Sequence, residues 1–227
     1  MTRATAATTA PLKEPASHYD IIARLPEDTT VTFHHVSWEE YEELLTQVGE
    51  PAGLRISFDK GTLCAMTLSA QHEKYVRFTE SLITAIRLRL RLKILGFGSA
   101  TMRKRAESVG KEPDACFYIQ TADQLGPRIQ LDFAVDPPPD LAVEIDIHHD
   151  SLDKFPIYVE LGVPEIWRYD GRALTIYHLQ RKRYVKREAS QALPMLTGKL
   201  LTDYLNRLQS EDEFQVLLAF DAWLAQL

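Results

Sequence analysis

Cysteine is scarce in this 227-residue chain: Cys64 and Cys116 are its only two, 52 positions apart, and no CxxC pair occurs. That excludes a disulfide scaffold and a thiolate zinc site, and it fits a reduced, cytoplasmic setting. Glycine is sparse too, at 10 residues, and neither a P-loop nor a dinucleotide-binding fingerprint is present. No apolar run approaches the length of about 18 residues that a membrane span needs. Positive charge is in deficit as well. With 32 Asp and Glu against 26 Lys and Arg, the formal net charge is −6, which argues against a basic coat protein for nucleic acid. An enzyme whose cations gather on one face is not excluded.

What is present is ordinary globular composition, 45% apolar and 26% charged, which excludes wholesale disorder. Residues 1–18 are Thr/Ala-rich without the apolar core of a signal peptide and are expected to be a disordered tail. Residues 19–227 show no repeat and no linker, so they are expected to form a single domain. Ser37 followed by the acids of Trp38–Val48, with Gly49 and Pro51 behind, predicts a helix. Residues 54–58 and 62–68 around Asp59-Lys60-Gly61 predict a hairpin. The stretch from Ala70 to about Leu92 carries apolar residues at helical spacing. Its tail, Arg87 to Lys93, alternates and would suit a strand equally; the uninterrupted pattern upstream decides for helix.

From Lys93 to His148 the chain reads as strands: 94–100, 101–106, 115–120 and 141–147. Ser151 is expected to cap a helix reaching Leu161, with Pro156 in its first turns and Gly162-Val163-Pro164 ending it. Strands at 166–169, 174–179 and 184–187, then one or two helices after Thr202, complete an α/β chain. A mixed central sheet flanked by helices is expected, with an extra N-terminal hairpin and C-terminal helices.

Three pieces carry candidate chemistry. Asp114 follows Glu112-Pro113 and opens a β-run. Glu144 interrupts the apolar strand Leu141–Ile147, with Asp146 on its own face and Val143 and Ile145 on the other. Lys154 begins the next helix. Two carboxylates on one side of a strand repel each other. A cation bound between them would remove that cost, and so would a solvent-facing edge strand.

The order Pro-Asp, strand Glu, then Lys resembles the PD-(D/E)XK nuclease superfamily. More closely, the chain resembles the bacterial restriction-endonuclease family of Uma type within it. The motifs that carry the resemblance are Gln71-His72-Glu73, Glu112-Pro113-Asp114 and Pro139-Asp140-Leu-Ala-Val-Glu144. Downstream comes Lys154-(x)3-Tyr158-(x)3-Gly162-Val163-Pro164-Glu165-Ile166-Trp167, the most specific segment. The likeness spans about residues 35–190, with the motif-bearing core at 70–190. In the wider superfamily the lysine follows the acidic residue by two positions on the same strand. Here Asp146 stands there, and Lys154 occupies the place on the next helix that the smaller family uses. The segment Ile145–Asp150 also departs from the family's Ser/Pro-rich stretch.

The resemblance implies a restriction-endonuclease-like fold and a metal-dependent endonuclease acting on DNA. Asp114 and Glu144 would hold Mg²⁺ or Mn²⁺, hard ions that suit oxygen ligands, and Asp146 would add a ligand or weaken the site. Lys154 would place positive charge beside the attacking water or the phosphate. Glu73 and Tyr158 are secondary candidates, the first as a supporting carboxylate. The second lies on the face of Lys154, with packing as its stronger role. A homodimer would supply two sites for two strands. The alternative is a nuclease-fold protein that binds nucleic acid or a protein partner and no longer cuts.

His148-His149-Asp150 is dense in potential ligands but lacks the spacing that converges two imidazoles on a helix, which disfavours zinc. Ser151 has no G-x-S-x-G elbow around it. Despite the net charge, cations cluster. Lys74–Lys93 carries six against one acid, and Arg181–Arg187 carries five with none. Arg103, Lys104 and Arg105 form a third run. Within a nuclease fold, Arg103, Lys104, Arg105, Arg181, Lys182 and Arg183 are candidate phosphate contacts. Acids Glu39, Glu40, Glu42 and Glu43 are expected on a solvated helix surface facing away from DNA.

Overall fold

The computed structural model of the chain describes residues 17–49 and 53–227. Most of the tail expected over 1–18 therefore lies outside the described residues. The chain opens with α1 (His18–Ile22), β1 (Thr30–His34) and α2 (Trp38–Val48). Helix α2 starts in a capping box: Ser37 Oγ accepts from Glu40 N, and the Glu40 carboxylate accepts from Ser37 N. It ends at Gly49, whose φ of 67° a residue with a Cβ would resist. The expected hairpin follows as β2 (Leu54–Asp59) and β3 (Thr62–Thr67), and then the 20-residue α3 (Ala70–Arg89). The continuous buried stripe of Phe78, Leu82, Ile83 and Ile86 commits the stretch to helix, which takes in Arg87–Arg89 of the ambiguous tail and stops there, short of the expected Leu92.

The middle of the chain forms β4 (Leu95–Gly96), β5 (Met102–Lys104), β6 (Val109–Lys111), β7 (Ala115–Tyr118), the single turn α4 (Ala122–Leu125) and β8 (Leu141–Ile145). The strands expected at 94–100 and 101–106 thus shrink to two and three residues. A second correction concerns Ser151. Its hydroxyl donates to Asp146 rather than capping a helix, so a 3-10 turn covers Leu152–Lys154 before α5 (Phe155–Leu161) begins. Then come β9 (Glu165–Tyr169), β10 (Leu174–Gln180), β11 (Arg183–Arg187), α6 (Gly198–Arg207) and α7 (Glu213–Leu224).

Two sheets result, ordered β1-β3-β2-β6-β5 and β11-β10-β9-β8-β7-β4. The larger one is mixed: β8 and β9 are parallel, joined through α5, and the other pairs are antiparallel. Alternation along β8 divides its side chains. Leu141, Val143 and Ile145 join the main core with α3, α6 and α7. Ala142 faces α5, in a second core that also takes Met102 and Val109 from the smaller sheet. Helix α5 is therefore wedged between the sheets. The chain crosses from one sheet to the other in the three residues Glu112-Pro113-Asp114, between β6 and β7. No described helix is long and apolar enough to cross a membrane.

Candidate active site

Asp114 sits at that crossing, 4% exposed. Its backbone N–H donates to Val143 O at 3.0 Å, which ties it to β8. Its carboxylate gathers partners from β8 again and from two further elements. Oδ2 accepts from Ile145 N at 2.8 Å and pairs with His72 Nε2 of α3 at 3.0 Å, while Oδ1 accepts from Arg55 Nε of β2 at 3.1 Å. Burial works against the charge. The His72 bond and the cations Arg55 and Lys111 outweigh it and hold this carboxyl below the usual range.

Glu144, on the neighbouring strand, is more deeply enclosed at 2% exposure. Its place in β8 turns it towards α5, where the Tyr158 hydroxyl donates to Oε1. The lysine that meets it is Lys111, from the end of β6 in the other sheet. Lys111 Nζ lies 3.0 Å from Oε1 and 3.3 Å from Oε2, and donates also to Glu112 O at 2.9 Å. Burial, only partly offset by Lys111 and reinforced by the charges of Asp114 and Asp146, pushes the Glu144 carboxyl up to about 7. Lys111 is buried too, yet Glu144 and Asp114 overcome that penalty and raise its pKa. Burial, with Glu144 adding to it, drives the Tyr158 phenol well upward, so it remains a donor.

Asp114 and Glu144 are thus brought together, and the remaining expected residues divide. Lys154 does not join them: its ammonium pairs with Asp153 at 2.6 Å and makes no bond to either carboxylate. The late start of α5 explains this, because Lys154 ends a 3-10 turn instead of lying one α-helical turn before Tyr158. Asp146 is also diverted. Its carboxylate accepts from Ser151 N and Oγ, both at 2.9 Å, and from Arg168 Nε, closing the loop that follows β8. No group of three or more His, Cys, Asp or Glu side chains is assembled for a metal among the described residues. Glu73 reaches Asp114 only through Arg55, whose Nη2 is 3.5 Å from it. Tyr158 both packs, fully buried, and bonds Glu144.

The basic runs separate in the same way. Arg103 and Arg105 pair with Glu42 and Glu39 of α2, and Lys104 donates to Glu160 O at 2.8 Å. So two of the acids expected to face away pair with two of the three cations in a run expected to meet phosphate. Arg181, Lys182 and Arg183 are exposed and make no ion pair among the described residues. His148 and His149 bridge to the N-terminal segment instead of forming a metal site: His148 Nε2 is 3.9 Å from Asp28, and His149 Nδ1 is 3.3 Å from Thr30 Oγ1.

Three site residues carried no sequence signal strong enough to assign them a role. Arg55 interrupts the apolar strand LRISF. His72 was visible only as part of a motif. Lys111 sits three positions before Asp114, in a run of polar residues that reads as a turn. A cavity of about 1090 Å³ opens beside this group, lined among others by Arg55, Glu73, Arg77, Glu112 and Trp38.

Comparison with known families and structures bears on the family and the fold. The model of the Uma2 family, described as "Putative restriction endonuclease", matches residues 38–208. Among solved structures, the chain is similar to one described as a "putative nuclease belonging to DUF820" from Anabaena variabilis. The two share 12% identity and superpose with a TM-score of 0.50 over 72% of this chain and 97% of that one, which establishes a shared fold. No curated protein matches the chain.

Proposed function

The chain belongs to the Uma2 family of restriction-endonuclease-like proteins, and from that premise we propose that it is a metal-dependent endonuclease hydrolysing DNA phosphodiester bonds. The observation that carries this reading is the buried pair Asp114, immediately before β7, and Glu144, in the adjacent β8, with Arg55 linking Asp114 to the wall of the cavity. The donor set fits Mg²⁺ or Mn²⁺. Both groups offer hard carboxylate oxygens, and each keeps acceptor capacity, since Asp114 Oδ1 and Glu144 Oε2 each receive a single hydrogen bond. A divalent ion there would polarise the phosphate and acidify a bound water.

The chain's own residues do the remaining work. His72 and the Ile145 amide hold Asp114 Oδ2, which leaves the carboxylate one orientation. Tyr158 does the same for Glu144 from the opposite side. Arg55 neutralises Asp114 and Glu73 together at the cavity wall, where a phosphate would enter. Lys154, its side chain one-quarter exposed, meets the phosphate on approach. Arg181, Lys182 and Arg183 bind the duplex backbone at a distance. Their hairpin lies three strands from β8, ~14 Å across and ~20 Å along the sheet from Glu144. A second copy of the chain would supply the second cut.

The test uses purified protein, plasmid DNA, and Mg²⁺ or Mn²⁺. Nicking or linearisation is expected, with Asp114→Asn and Glu144→Ala each lowering the rate roughly a hundredfold or more, the scale of lost electrostatic stabilisation. Undiminished cleavage in both variants would overturn the assignment. A second reading, a nuclease fold that binds nucleic acid or a protein partner without cutting, draws on the ammonium of Lys111 already lying against Glu144. Absence of cleavage together with salt-sensitive DNA binding selects it.

A further inference from the structure

Lys111 is the only lysine classed as buried among the described residues. It comes from one sheet, and the carboxylate it grips belongs to the other. We propose that Lys111 and a divalent cation compete for Glu144: the ammonium is the resident counter-ion of the site, and the ion must move it aside to be bound. This inference deepens the nuclease reading and rests on Asp114 and Glu144 being the metal's ligands.

Charge accounting carries it. Asp114, Glu144 and Glu73 contribute three negative charges, and Arg55 and Lys111 already offset two of them, at 3.1 Å from Asp114, 3.5 Å from Glu73 and 3.0 Å from Glu144. A dication added beside both cations would leave excess positive charge in an enclosed site, which is costly. Arg55 cannot yield easily. Its guanidinium is fixed by Asp114, Glu73 and the Leu54 carbonyl at once. Lys111 has a flexible four-carbon stem and a point charge, held by Glu144, the single carbonyl of Glu112 and the face of the Tyr158 ring at 5.8 Å. It is therefore the group that gives way. Once off Glu144, its charge is free to meet a phosphate, the service that the motif assigns to Lys154.

The full chain titrated with Mn²⁺ by calorimetry tests this directly. Lys111→Met and Lys111→Gln should bind Mn²⁺ at least about tenfold more tightly than the unsubstituted protein, the equivalent of one pK unit of charge–charge interaction. Lys154→Met should bind as the unsubstituted protein does. Gln retains a hydrogen-bond donor for Glu144, so it serves where Met fails to fold. In protein labelled with ¹⁵N-lysine, Mg²⁺ should move the Lys111 side-chain resonance and leave that of Lys154. Unchanged or weaker Mn²⁺ binding in the Lys111 variants overturns the inference, as does an unmoved Lys111 resonance. Cleavage assays on the same variants judge the nuclease reading separately. Competition without cleavage removes the nuclease and keeps Lys111, while cleavage without competition removes only the inference.

Discussion

Lys111 and Asp114 stand three positions apart in the chain, the first ending β6 in one sheet and the second leading into β7 of the other. The crossing between them is the Glu112-Pro113 step, and the Glu112 carboxylate anchors it by accepting from Ile56 N at 2.8 Å and Thr101 Oγ1 at 2.7 Å. A carboxylate and a cation that are near neighbours in sequence thereby reach β8 from opposite sheets, Asp114 through the amide of Ile145 and Lys111 through Glu144. Four expectations follow from this arrangement and its surroundings.

The Glu144 carboxyl sets a pH dependence. Its ordinary value is 4.5, and in the fold it rises to about 7, so between those values the folded chain holds a proton that the unfolded chain has released. Its contribution to stability is full below the lower value, declines as pH rises and is lost above about 7. Metal binding runs the other way, because the ligand must be ionised. Mn²⁺ affinity should climb towards pH 7 and level off above it, and Glu144→Gln should flatten the profile. Asp114, held below the usual range, stays ionised throughout. A flat calorimetric profile in the unsubstituted protein would remove Glu144 from the ligand set.

The two outer basic runs should behave unequally. Replacing Arg181, Lys182 and Arg183 by Gln should weaken DNA binding and reduce the slope of log affinity against log salt by up to about three, roughly one per lost phosphate contact. The same treatment of Arg103 and Arg105, already paired with Glu42 and Glu39, should change the slope far less. Fluorescence anisotropy at several salt concentrations measures both.

Asp146 should prove to be a loop anchor. Asp146→Asn breaks its ion pair with Arg168 and weakens its bonds to Ser151, with an expected loss of about 1–3 kcal/mol in denaturant unfolding. Its Mn²⁺ affinity should match that of the unsubstituted protein. A marked fall in affinity would make Asp146 a ligand after all.

Gly110 keeps the strand of Lys111 pressed against α2. A Cβ there would meet Tyr41 Oη at 2.1 Å and Cζ at 2.7 Å, so Gly110→Ala should cost about 1–3 kcal/mol through overpacking. The Tyr41 hydroxyl is buried without a partner. Tyr41→Phe should therefore leave stability unchanged or raise it by about 1 kcal/mol or more. Thermal unfolding of both variants measures the difference in sign.

By itself, the sequence determined the α/β class, the long α3, the hairpin around Asp59-Lys60-Gly61, and the placement of Glu144 on the face of its strand opposite Val143 and Ile145. These are consequences of periodicity, caps and turn residues acting over a few positions. Only the tertiary structure decided which cation meets Glu144. Lys154 and Lys111 are equally ordinary lysines in sequence, 10 and 33 positions from it. Their fates depend on a 3-10 turn that starts α5 late and on a crossing that leads β6 into the other sheet. The surroundings of Asp146, Arg103 and Arg105 were decided the same way, by ion pairs with Arg168 and with the acids of α2. Such pairings join residues far apart in the chain, and an ionised side chain carries no periodic signature of the partner that burial will force upon it.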